Sequence, residues 1–163
     1  MQAYIIVGAL IALPVVLGIV MRVSASHLFF SVMAGELLAR YFGHDAYSVI
    51  ESVSRNTTLA SYSEAIVLTL PLLLTAVFLK GSMSRSKTAL HIIPFAVTGI
   101  VYAAFMLAVL PASVQEIIRS NPLTDKFIGM DSVVIGFVVF FQLIALWLLN
   151  RGNREKHGKK HKK

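Results

Sequence analysis

Glu36 and Arg40 stand four residues apart inside an otherwise apolar run, His27–Gly43 (HLFFSVMAGELLARYFG). On a helix that spacing places them on neighbouring turns, with the acid N-terminal, the better orientation for an ion pair. A run this apolar can enter a bilayer, where ionisable groups are expensive and face protein or water rather than lipid. Two chemistries follow. Either the pair neutralises itself while Arg40 reaches for the surface, or Glu36 lines a polar path. Glu64 and Asp131 open two later apolar runs and could form an acidic mouth above a buried carboxylate, as in a cation or proton path. An acid at a helix start is equally well explained by the helix dipole. Gln142, and Thr98 with Tyr102, have the side chains for hydrogen bonds between helices. His27 and His91 fall near matching ends of their runs, where two histidines could hold a haem iron or another metal. The alternative is a pair of unrelated interfacial histidines.

The 163 residues contain no cysteine, which excludes disulfides, thiolate metal sites and thiol catalysis. No HExxH, phosphate loop, dinucleotide fingerprint or nucleophile–base set occurs, so neither enzyme activity nor a cofactor is expected. Composition is 56% hydrophobic and 14% charged, against about 25% charged in soluble domains. The mean hydropathy is +0.75. The apolar residues come in blocks of about twenty, the length that crosses a ~30 Å hydrocarbon core.

Those blocks give five spans: Gln2–Met21, His27–Gly43, Tyr62–Leu79, Thr88–Leu110 and Asp131–Leu149. The fold expected is an all-α bundle of five transmembrane helices over residues 1–150, followed by a basic tail over 151–163. Pro14, Pro71 and Pro94 should bend or open their helices. Ser31, Gly35 and Ala39 form an i, i+4, i+8 stripe of small residues that lets another backbone approach, and Gly8 and Ala12 offer the same. His44–Ser61 is polar and should break the hydrophobic run, with Tyr47, Val49, Ile50 and Val53 on a short interfacial helix. Ala112–Ser120 puts Val114, Ile117 and Ile118 on one face and could also lie in the interface. Trp147 is an interfacial anchor.

Orientation follows from the basic residues. With the N-terminus outside, Arg22, Lys80, Arg85, Lys87 and the seven of the tail are cytoplasmic, and Arg40, Arg55, Arg119 and Lys126 are outer. That bias fits the positive-inside rule and argues that His27–Gly43 crosses the membrane. The net charge of +7 is therefore largely a local tail, a feature for anionic lipid headgroups and not a nucleic-acid surface.

The first span ending LGIVMR, the following SASHLFFSVMAGELLARYF, two more spans joined by a basic loop, and the closing LPASVQEIIRSNPL together resemble the colicin V production protein family of bacterial inner-membrane proteins. That family has more glycine and arginine where Val23-Ser24-Ala25 stands, and the fifth span lies outside the resemblance. It implies a role in envelope integrity or export in a bacterial inner membrane, and carries over no site residues. The residues themselves leave three functions open. One is a small, oligomeric transport or channel-type protein with a polar path near Glu36. Another is a non-catalytic assembly subunit or scaffold, and the last a holin-like protein that opens membrane lesions.

Overall fold

The computed structural model describes residues 2–55, 57–83, 91–122, 125 and 132–158, with 57, 132 and 148–158 described by backbone alone. Every described element is helical: α1 (Gln2–Met21), α2 (Ala25–Ser54), α3 (Thr57–Ala60), α4 (Ser63–Phe78), α5 (Ile92–Val109), α6 (Ala112–Arg119) and α7 (Ser132–Gly158). Two of them, α1 and α5, are long and apolar enough to cross a membrane, while α4 and the apolar part of α7, Val133–Trp147, are shorter.

The longer helices alternate in direction and pair out of chain order. α2 packs along α4, and α1 along α5, while α5 also touches α2 and α7. Helix α5 is the centre, with 61% of its apolar stretch buried against 17% for α1. Its buried Phe95, Val101, Tyr102 and Phe105 meet Leu28, Phe29 and Val32 of α2 and Leu68 and Leu72 of α4 in one core. The chain is thus arranged around its fourth apolar run rather than its second.

Two glycines permit the close pairing. A Cβ on Gly35 would collide with the carbonyl oxygen of Leu68, and one on Gly99 with that of Ile11, so each helix pair touches backbone to backbone. Gly18 similarly makes room for the Phe95 ring, whereas a Cβ on Gly8 would meet open space among the described residues. Of the prolines, Pro94 lies in the first turn of α5, where the missing N–H would have had no helical partner anyway. Pro14 and Pro71 are interior.

The turn after α1 is closed by Arg22, whose φ of 54° is left-handed, with Val23 N–H donating to Gly18 O at 3.1 Å. This six-to-one bond is the Schellman closure, usually built on glycine. The loop after α4 docks there, Gly81 N–H on Met21 O and Met83 N–H on Arg22 O, both at 2.8 Å. At the opposite end, α6 folds back so that Ile118 packs on Val7 and Leu107. Gln115 Nε2 caps α5 by donating to Leu107 O at 3.2 Å and Leu110 O at 2.9 Å. Tyr4 OH donates to Asn121 Oδ1 at 3.1 Å.

Two boundaries differ from expectation. Helix α2 does not break at His44 but runs unbroken through 30 residues, about 45 Å. Ser63, the first residue of α4, reaches Gly43 O, so the eleven residues after Gly43 overhang by about 16 Å. Their polar composition does not stop the helix, because no proline or glycine lies between His44 and Ser54; Ser48, Ser52 and Ser54 satisfy their hydroxyls on Asp45 O, Val49 O and Ile50 O within it. The short helix expected around Tyr47–Val53 is the end of α2 itself, closed by Arg55 at φ 51°. Likewise the backbone of α7 stays helical through Gly158, carrying the first part of the basic tail with it. The basic loop residues 84–90 and the tail residues 159–163 lie outside the described residues.

Candidate functional site

The stripe of small residues positions Glu36. Ser31, Gly35 and Ala39 are buried, and Gly43 continues the stripe one more turn. Ser31 Oγ donates to Leu28 O at 2.7 Å, satisfying its hydroxyl inside its own helix. With Gly35 pressed on the Leu68 backbone, the next residue is carried to the rim of the buried face. Glu36 is consequently 8% exposed.

Arg40 Nε donates to Glu36 Oε1 at 2.6 Å, a short charge-assisted bond. The partners are unequal: the arginine side chain is 71% exposed and that of the acid 11%. Glu36 Oε2 is buried and accepts no hydrogen bond from the described residues. One oxygen of the carboxylate is thus compensated and the other is not.

The remaining candidates do not gather around this pair. Glu64 is exposed at the start of α4, its Cγ 2.6 Å from where a Cβ on Gly43 would sit. That is seven residues along α2 from Glu36, about 10 Å further towards the overhanging end. Asp131 lies outside the described residues, so the proposed acidic mouth is represented by Glu64 alone. Gln142 sits near the other end of the bundle, where its Nε2 donates to Pro94 O at 2.9 Å and Thr98 Oγ1 at 3.3 Å. Thr98 Oγ1 donates in turn to Pro94 O at 2.8 Å. This buried cluster ties α7 to α5.

His27 and His91 open α2 and α5 at the same end of the bundle. His27 is exposed, with Nδ1 2.6 Å from Ser24 Oγ, while His91 is buried with its ring 6.1 Å from that of Phe95. Among the described residues no three possible ligands come together to hold a metal ion.

The interhelical hydrogen bond expected of Tyr102 joins α5 to α4, where its partner is Thr69, a residue the sequence pattern did not mark. Thr69 and Tyr102 share a hydrogen bond of 2.9 Å, and Thr69 Oγ1 also reaches Ala65 O at 2.7 Å. The only signal was a hydroxyl inside each apolar run, and their shared depth follows from the fold. Against known proteins, no family model, curated sequence or solved structure matches this chain, so its resemblance to the colicin V production family rests on the residue pattern alone.

Proposed function

We propose that the chain is a multi-pass protein of the cell membrane, with five spans, its N-terminus outside and its C-terminus cytoplasmic. It works as a small transport- or channel-type protein whose polar path passes Glu36. The observation that carries this reading is a carboxylate buried among apolar helices with one oxygen left bare. An acid at that depth is costly where an apolar residue would pack, which supports a role on an ion or proton path.

The membrane setting is supported by the outward face of the bundle. Ile5, Val16 and Val20 of α1, Leu70, Leu73 and Val77 of α4, and Phe137 and Phe141 of α7 are exposed, more apolar surface than a water-facing monomer carries. The described basic residues Arg22 and Lys80 stand at the end shared by Met21 and Phe78, as the positive-inside rule requires of a cytoplasmic face. The apolar part of α7 spans only about 22 Å, and α4 about 24 Å, so the local bilayer would thin around them. The basic end of α7 would lie against anionic headgroups.

The test is reconstitution of the full chain in liposomes. Glu36→Gln is expected to change ion or proton flux while the oligomeric state in detergent is unchanged. Identical flux in the two proteins would remove the reading.

A second reading, a non-catalytic assembly subunit or scaffold, is favoured by Gly8, which lies on the exposed face of α1 with no neighbour among the described residues. In that case Gly8→Leu would abolish co-purification of a second copy or a membrane partner, and flux would be absent throughout.

A further inference from the structure

We propose that Glu36 is an exchangeable proton site, in which Oε2 takes up and releases the proton while Oε1 stays on Arg40. The inference rests on the reading above, that a polar path passes Glu36, and names what that path would handle.

The argument begins with what can satisfy Oε2. An ionised oxygen sealed from water without a donor is unfavourable, and it can be relieved by a second donor, a metal ion or a proton. Among the described residues none donates to Oε2. The only other titratable residue of α4 is Glu64, about 10 Å along and itself acidic. Tyr102 is the only titratable residue of α5, and its hydroxyl is paired with Thr69. Helix α1 has only Tyr4, bonded to Asn121 at the end of the bundle. On α2, His27 is nine residues away at the other end, while Tyr41 and His44 are exposed. Between Val133 and Trp147, α7 has no titratable residue. A hard metal cation needs several oxygen ligands at once, and Glu36 belongs to no cluster that supplies them among the described residues. The proton is the ligand that one oxygen can hold alone.

Arg40 makes that proton exchangeable. Its side chain is mostly exposed and grips Oε1 through Nε only. That bond holds the carboxyl in place whichever state Oε2 is in, and leaves Oε2 free to bind or lose the proton. Uptake moves a proton from a hydronium ion on the outer side to Oε2: one O–H bond of the hydronium breaks, its electron pair stays on the water, and one O–H bond forms on the carboxyl. Release breaks the same bond, returns the proton to water and restores the charge that the guanidinium balances.

The experiment is labelling of the intact protein in liposomes with dicyclohexylcarbodiimide, an apolar reagent, with the modified peptide located by mass spectrometry. The reagent takes the acid proton on nitrogen, the carboxylate adds to its central carbon, and the adduct rearranges to a stable N-acylurea; a deprotonated acid does not start this sequence. The expected result is modification at Glu36 and not at Glu64, with a rate that falls as pH rises. In Arg40→Gln the rate at a given pH should rise by about threefold, the scale of an ion pair with an exposed partner. Unlabelled Glu36 in the folded wild type, or labelling indifferent to pH or to Arg40, overturns the proposal. Because the wild type is itself the main readout, misfolding of a Glu36 variant would not obscure the result. Labelling without proton flux upholds the proton site and removes the transport reading; flux without labelling upholds transport and removes the site.

Discussion

The carboxylate of Glu36 and the guanidinium of Arg40 are bonded but not equivalent, and substitution should expose the difference. Removing the exposed partner strands a buried charge, whereas removing the charge of the buried partner leaves an arginine that already reaches outward. Arg40→Gln is therefore expected to cost about 0.5–1 kcal/mol, the scale of an ion pair with one exposed partner, and Glu36→Gln less, the amide oxygen still accepting from Nε. Thermal unfolding of the two variants in the same detergent checks the order. Arg22 makes a separate case. A left-handed φ on a residue with a Cβ costs roughly 1 kcal/mol, so Arg22→Gly should raise stability by about that amount in the same assay. That an arginine stands where glycine would be easier fits a position held for its charge. At this scale the sequence is informative where the interaction is local. Glu36 with Arg40 can be read from a spacing of four, while the bare state of Oε2 depends on which helices surround it, and no spacing reveals that.

Helices meet here through positions without a side chain, so the seams are the sensitive places. Gly35→Leu and Gly99→Leu would each drive a side chain into a neighbouring carbonyl, and overpacking of this kind costs about 1–3 kcal/mol or more. Loss of the monodisperse peak in size-exclusion chromatography is expected for both, while Gly8→Leu, facing open space, leaves the monomer fold intact. Helix α7 is held more lightly, by apolar contact with α5 and by Gln142. Gln142→Leu should cost about 1 kcal/mol, read as faster hydrogen exchange in α7 with α2 and α4 unaffected. The elements themselves are legible to different degrees. The run Tyr62–Leu79 marks α4 to within a residue at each end, because its apolar block and its helix stop together. His44–Ser61 misleads because polarity reports where water is, not where hydrogen bonding ends. From His44 to Ser54 there is no proline or glycine, and the serines satisfy their hydroxyls on carbonyls of the same helix. Gly99 carries no mark in the sequence; its role appears only once Ile11 lies across it.

The alternation of the long helices sets the two ends of the molecule apart, and this gives the whole chain a direct test. It has no cysteine, so single introduced ones report cleanly. In sealed vesicles, Asp45→Cys and Ser82→Cys are expected to react with a membrane-impermeant maleimide from opposite sides. Reaction of both from one side would remove the five-span arrangement. The pairing of α1 with α5 has a further consequence for how such a molecule is made. Roughly ninety residues separate Ile11 from Gly99, and at 5–20 residues per second a ribosome needs about 5–20 s to synthesise them. Throughout that interval α1 lacks its principal neighbour, while α2 and α4 can already zip together. Among the described helices α1 thus waits longest for its main partner, and a quality-control protease would find a clear target there.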